Sequence, residues 1–175
     1  QLMIVGWAFT FLIEGASGFG TPAALAAPVL VGLGFEPVGA AILCLIMNSV
    51  PVSFGAVGTP IWFGLGELGL SREQMMAVAS KTALLHSAAA LVVPVVALRF
   101  VVSWEEVRRN LGFVYLSILA CVVPYLALAQ FNYEFPSLVG GLAGLVVSAW
   151  LARRGVGLCQ AAPRPEREKV PLRRL

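Results

Sequence analysis

The chain contains no aspartate and a single histidine, His86, and only 12% of its 175 residues are charged. Soluble domains carry about 25%. Cys44, Cys121 and Cys159 show neither metal-ligand spacing nor a disulfide pattern, and the first two lie in apolar runs where a thiol acts as a small hydrophobe. No nucleophile–His–acid set and no metal-ligand cluster is present, which argues against an enzyme and calls for no cofactor. The glycine-rich stretch GASGFG at 15–20 lacks the lysine of a phosphate-binding loop. It also lacks the preceding strand that a dinucleotide fold requires. The net charge of +3 sits mostly in the tail and does not point to nucleic acid.

What the chain does have is long uncharged runs, at 15–35, 37–66, 110–133 and 135–152. Crossing ~30 Å of hydrocarbon takes ~20 apolar residues. We therefore read an all-α, polytopic protein embedded in a lipid bilayer, with transmembrane helices at 73–98, 111–131 and 136–152. Trp104 and Tyr133 fall at their edges, where interfacial aromatics belong. The segment 153–175 holds seven Lys/Arg against two Glu, a net of +5. The positive-inside rule places it in the cytoplasm as a basic tail or linker, and its prolines suggest disorder. Working backwards, Asn132–Pro136 is outside, the loop with Arg99, Arg108 and Arg109 inside, and 67–73 outside. The opening at Gln1 and the polar ending suggest a piece of a longer protein. The first segment lacks the basic start of a signal peptide.

Residues 1–66 do not divide into simple spans. Residues 1–13 and 22–34 would each reach about 20 Å as helices, too short to cross. Joined by GASGFGTP they predict a re-entrant hairpin over 1–35. Residues 37–66 are long enough to cross, but NSVPVSFGAVGTP in their middle predicts a broken helix. Gly-Thr-Pro occurs twice, at 20–22 and 58–60. Threonine caps helices and proline is favoured in their first turn, so Thr21 and Thr59 read as two helix starts near mid-membrane. Two such ends facing each other would cradle an anion, though each contributes only about 0.3–1 kcal/mol. Hydroxyls of Ser17, Thr21, Ser49, Ser53 and Thr59 and the Asn48 amide would add hydrogen bonds, with Gly20 and Gly58 at the breaks. Close helix packing is the competing explanation for the glycines. Glu14 is the one acid in residues 1–35. If it lies deep, it is a proton carrier, a cation ligand or an acceptor for the hairpin tip; if its helix crosses fully, it lies at an interface.

The stretch FLIEGASGFGTPAALAAPVLVGLGFEPVGAAILCLIMNSVPVSFGAVGTPI resembles the L-lactate permease family of bacterial transporters. The blocks EGA.GFG, LVGLGF.P and LCLI.N..PV.FGA.G.PI carry the resemblance. It implies a proton-coupled carrier of lactate, and often glycolate, in the bacterial cell inner membrane, built from two inverted halves of which the second is missing here. It maps Glu14, Gly15, Gly18, Phe19, Gly20 and Asn48 onto the site, with Ser17 where alanine is more usual. The expectation is secondary transport of small 2-hydroxy carboxylates with Glu14 as the proton-coupling acid. A small-anion channel, a sodium-coupled carrier and a non-transporting scaffold are the alternatives.

Overall fold

The computed structural model describes residues 1–159 of the chain. The basic stretch expected to be disordered lies largely outside the described residues. Among those described, every regular element is helical. Helix α1 runs Met3–Ser17, π-helical to Phe9 and α-helical from Thr10. It is followed by α2 (Thr21–Gly32), α3 (Pro37–Asn48), a 3-10 turn at Val52–Phe54 and α4 (Gly55–Gly66). Then come α5 (Arg72–Ala90), α6 (Val93–Leu98), α7 (Trp104–Arg109), α8 (Leu111–Leu128) and α9 (Pro136–Arg153).

Two of these, α8 and α9, are long and apolar enough to cross a membrane, and α3 with the Val52–Gly66 segment makes a third if the bent pair is one span. The pair bends by 66°. The break expected in 37–66 is thus present. The expected 73–98 helix is divided, because Pro94 cannot donate a backbone hydrogen bond and instead sits in the first turn of α6. The first helix also differs from expectation. It continues past residue 13 through Glu14 to Ser17 and stops at Gly18, whose φ of 60° and ψ of −156° suit glycine alone.

Helices α1 and α2 form an antiparallel hairpin. A methyl on Gly6, early in α1, would touch Leu30, late in α2. Glu36 caps α3, accepting from the backbone N–H of Val38 at 2.9 Å and of Gly39 at 2.5 Å. Ser71 and Gln74 form a capping box on α5, as Ser103 and Glu106 do on α7. The short α7 was not expected from the sequence.

Helices α8 and α9 pack closely through small residues of α9. A methyl on Gly140 would lie 2.8 Å from both the Cys121 carbonyl oxygen and Tyr125 Cβ, and one on Gly144 would collide with the Cys121 sulfur. Ser148 continues this buried face. In lipid no hydrophobic force drives helices together, so such close backbone approach is what holds them. The chain beyond α9 folds back on the start of α8: Phe113 N–H donates to the Gly157 carbonyl at 3.1 Å and Cys159 N–H to Asn110 Oδ1 at 3.1 Å. The opposite sides of the bundle carry exposed large apolar residues, among them Leu84, Leu85, Val92, Val123 and Val146, as a lipid-facing surface requires.

Helix α9 also lies against α1. A methyl on Gly141 would collide with the Leu12 backbone, and one on Gly15 would meet the backbone of Ser137 and Leu138. Overpacking costs about 1–3 kcal/mol, more where backbone must move. Gly141→Val is expected to lower the melting temperature of the detergent-purified protein by several degrees or abolish folding. Gly64→Ala, where nothing lies within 4 Å, is expected to leave it unchanged. Thermal unfolding of both variants checks this.

Candidate functional site

The helix α1 carries Glu14 to the centre of the fold. Phe11 and Glu14, one turn apart, are both buried, Glu14 with only 2% of its surface exposed. Phe11 packs edge-on against Trp7 and Tyr125, with ring centroids 5.2 and 5.5 Å apart. Tyr125 meets Phe54 of the broken segment at 5.3 Å in the same geometry. Such pairs contribute about 0.5–1.5 kcal/mol each beyond area burial. The aromatic column fixes α1, α8 and the helix break relative to one another. His86 of α5 joins it through Tyr125, whose hydroxyl lies 3.4 Å from His86 Nδ1. This is the packed, hydrogen-bonded role expected of a lone histidine on an apolar helix.

The Glu14 carboxyl rests against the helix break. A methyl on Gly55 would collide with Glu14 Oε1 and lie 3.0 Å from its carboxyl carbon. The Asn48 side chain, at the end of α3, is the hydrogen-bonding neighbour of this carboxyl. Yet Glu14 Oε2 and Asn48 Oδ1 are both buried with no hydrogen-bond partner among the described residues. A buried acceptor left unmatched costs about 1–3 kcal/mol. A carboxyl oxygen and an amide oxygen thus both stand buried and unmatched at this point of the fold.

The hairpin tip meets the same break. A methyl on Gly18 would lie 3.0 Å from the Cβ and backbone N of Ala56. Thr21 N–H donates to the Gly18 carbonyl at 3.1 Å, and Thr59 Oγ1 donates to the Ala56 carbonyl at 2.5 Å. The two Gly-Thr-Pro starts are therefore each one hydrogen bond from residues in mutual contact. Neither threonine caps in the expected way. Gly20, with φ of +83°, precedes α2 and Thr21 is its first residue. The regular part of α4 begins at Thr59, after Ala56, Val57 and Gly58, all with positive φ. Left-handed backbone costs a non-glycine residue roughly 1–2 kcal/mol. Ala56, Val57 and Phe19 (φ +53°) all bear it, and Phe19 stands 81% exposed at the tip.

Other expected site residues are placed differently. Ser17 Oγ donates to the Ile13 carbonyl at 3.0 Å and Ser49 Oγ to the Ile46 carbonyl at 2.7 Å, so both hydroxyl protons are turned back onto their own helices. Both serines are exposed, as is Gly20, while Ser53 is half-buried. Gly58 is buried against the turn before α9, where a methyl would lie 2.6 Å from the Tyr133 carbonyl oxygen.

The sequence reading took Gly55 only as a helix breaker, missing its contact with Glu14, and missed Ser137 altogether. Ser137, fully buried at the start of α9, donates from Oγ to the Pro51 carbonyl at 2.7 Å. It adds a second donor to a carbonyl of the break that also accepts from Phe54 N–H at 3.1 Å. The signal available was the i, i+4 spacing of small residues at 137, 141 and at 140, 144, 148.

The arrangement makes the Glu14–Gly55 contact testable. Gly55→Ala is expected to destabilise by about 1–3 kcal/mol, read as a lowered melting temperature. In the Glu14→Ala background the same change should cost almost nothing, because the methyl then fills vacated space. A double-mutant cycle of thermal unfolding measures this coupling.

A family model described as L-lactate permease matches residues 1–158. A Haemophilus influenzae protein whose name assigns it provisionally as an L-lactate permease is 63% identical over 160 residues, 91% of this chain and 30% of that relative. The L-lactate permease of Escherichia coli (strain K12) is 59% identical over 61 residues, 35% of this chain and 11% of the relative. The glycolate permease of the same strain is 56% identical over 61 residues, again 35% and 11%. The chain thus spans less than a third of the length of these relatives. No solved structure matches it.

Proposed function

The chain belongs to the L-lactate permease family, and on that premise we propose that it forms part of a secondary transporter for lactate, glycolate and similar small 2-hydroxy carboxylates in a bacterial inner membrane. The observation that carries the reading is the buried Glu14–Asn48 pair, with two unmatched oxygens, at the place where hairpin tip and helix break touch.

In this reading α1 and α2 are a re-entrant hairpin. At ~1.5 Å per residue they reach about 23 and 18 Å, both short of a ~30 Å hydrocarbon core. Broken helices are tolerated at membrane depth only inside protein or beside a cavity, and half-helices at the midplane are where such carriers bind substrate. The substrate carboxylate is held between the starts of α2 and α4, by backbone N–H groups and by Gly18, Gly20, Thr21, Gly58 and Thr59. Ser17, Ser49 and Ser53 retain hydroxyl lone pairs that can accept from the substrate hydroxyl. The missing part of the permease supplies the facing wall.

Charge balance assigns Glu14 its role. A bare charge at the bilayer centre costs about 2.5–3.5 kcal/mol. Each helix end returns about 0.3–1 kcal/mol, at most about 2 when buried. A proton on Glu14 removes one negative charge and relieves the burial of an unmatched carboxylate oxygen. Substrate anion and proton then move together without net charge. The basic segment after α9 faces the cytoplasm, and the hairpin opens to the same side.

The test is uptake of labelled L-lactate by the full-length protein in proteoliposomes, with and without an imposed pH gradient. Wild type is expected to accumulate lactate only with the gradient, and unlabelled external lactate should accelerate exchange, as it would not in a channel. Glu14→Gln should lower gradient-driven accumulation at least tenfold while leaving exchange within about threefold. Equal accumulation by the variant removes Glu14 as the coupling acid.

A further inference from the structure

A polar pocket, about 370 Å³ in volume, opens where α4, the start of α5 and the turn before α9 meet. Its walls include Trp62, Arg72, Met75, Asn132, Tyr133 and Glu134. Trp62 and Tyr133 stack edge to face at 5.8 Å and make one apolar side. Asn132 Oδ1 is occupied, accepting from the backbone N–H of Glu134 at 2.7 Å and of Phe135 at 2.9 Å, which leaves its NH2 as the available donor. Among the described residues Arg72 and Glu134 form no ion pair with each other or with another side chain, and Arg72 donates no hydrogen bond. The pocket adjoins the helix break. A methyl on Gly58 would lie 2.6 Å from the Tyr133 carbonyl and 2.7 Å from Glu134 Cα.

We propose that this pocket is an access site that captures the 2-hydroxy carboxylate before it reaches the hairpin tip, an inference that rests on the transport reading above. The planar guanidinium of Arg72 takes the carboxylate through paired N–H donors. The substrate hydroxyl donates to the Glu134 carboxylate and accepts from the Asn132 amide. The carbon chain lies on Trp62 and Met75. An unpaired cation and anion facing one pocket suit a ligand with an anionic end and a hydroxyl donor. They disfavour a simple carboxylate, which gains Arg72 but leaves Glu134 unmatched. Discrimination of this kind comes from polar groups left unpaired by the wrong ligand.

The experiment measures initial uptake rates against L-lactate concentration for the full-length protein in proteoliposomes. Arg72→Gln is expected to raise KM about tenfold with Vmax within twofold of wild type, and Arg72→Lys to recover part of the loss. Glu134→Gln should narrow the preference for lactate over propionate, which lacks the hydroxyl, by at least threefold. If Arg72→Gln does not reconstitute, Met76→Cys in a Cys159→Ser background gives a second readout. Lactate should slow labelling of the introduced thiol by a soluble maleimide at least threefold, and propionate should slow it less. A KM for Arg72→Gln within twofold of wild type, or thiol labelling indifferent to lactate, overturns the access site while leaving the transport reading intact. Wild-type protein that takes up no lactate overturns both.

Discussion

The backbone contact between α1 and α9 is the constraint on which the centre of this fold depends. Gly15 lets the α1 backbone meet Ser137 and Leu138, and one turn along, Gly141 lets the α9 backbone meet Leu12. Neither site has room for a side chain. Residues face outward from a helix at about 100° intervals, so a helix edge pinned at positions 12 and 15 turns positions 11 and 14 toward the neighbouring side. That side is the helix break. The burial of Phe11 against Tyr125 and of Glu14 against Gly55 thus follows from where the glycines allow α1 to lie.

The break is held from the same contact. Its Pro51 carbonyl, which accepts from Phe54 N–H within the turn, takes a second donor from Ser137, which sits on α9 beside the Gly15 crossing. Its left-handed residues are lodged between Gly18 of the hairpin on one side and the Tyr133–Glu134 turn on the other. Three consecutive positive-φ residues would relax in an isolated helix. Here Ala56 is held against Gly18 and Gly58 against the Tyr133–Glu134 backbone, which fixes the two ends of the run while the Val57 side chain stays exposed. Strain of this sort persists where surrounding structure over-determines it, and it concentrates at functional sites.

Much of this was legible in the sequence, and the rest was hidden for identifiable reasons. Uncharged runs announced α8 and α9, and Pro51 with Gly55 and Gly58 announced the broken helix. The joint was expected over GASGFGTP, which contains the observed break, but the first helix was ended too early, at residue 13. A buried acid inside a helix looks from sequence like a polar interruption, whereas the chain breaks at Gly18, where only glycine fits the backbone. The threonines were assigned as caps by local preference. The tertiary contact instead put Gly20 before α2, and a left-handed turn before Thr59. A β-branched residue such as Val57 at positive φ has no local signature. Gly55 and Ser137 matter because of partners 41 and 86 residues distant, Glu14 and Pro51 respectively, and a single sequence does not reveal such pairings.

The placement of charge suggests why a permease of this design would use two polar stations rather than one. At the pocket of Arg72 and Glu134 both signs are present at the edge of the bundle, where water shares the cost of each charge. At the hairpin tip there is one acid, two helix starts and no basic side chain among the residues that meet there. An anion held beside an ionised Glu14 would meet repulsion in a medium that screens poorly, and helix ends are too weak to offset it. A proton delivered to Glu14 removes that repulsion. On the proposed transport reading, coupling then needs no separate device: the deep station would accept the anion well only when its single acid is neutral, and the outer station, with its permanent guanidinium, would have no such requirement.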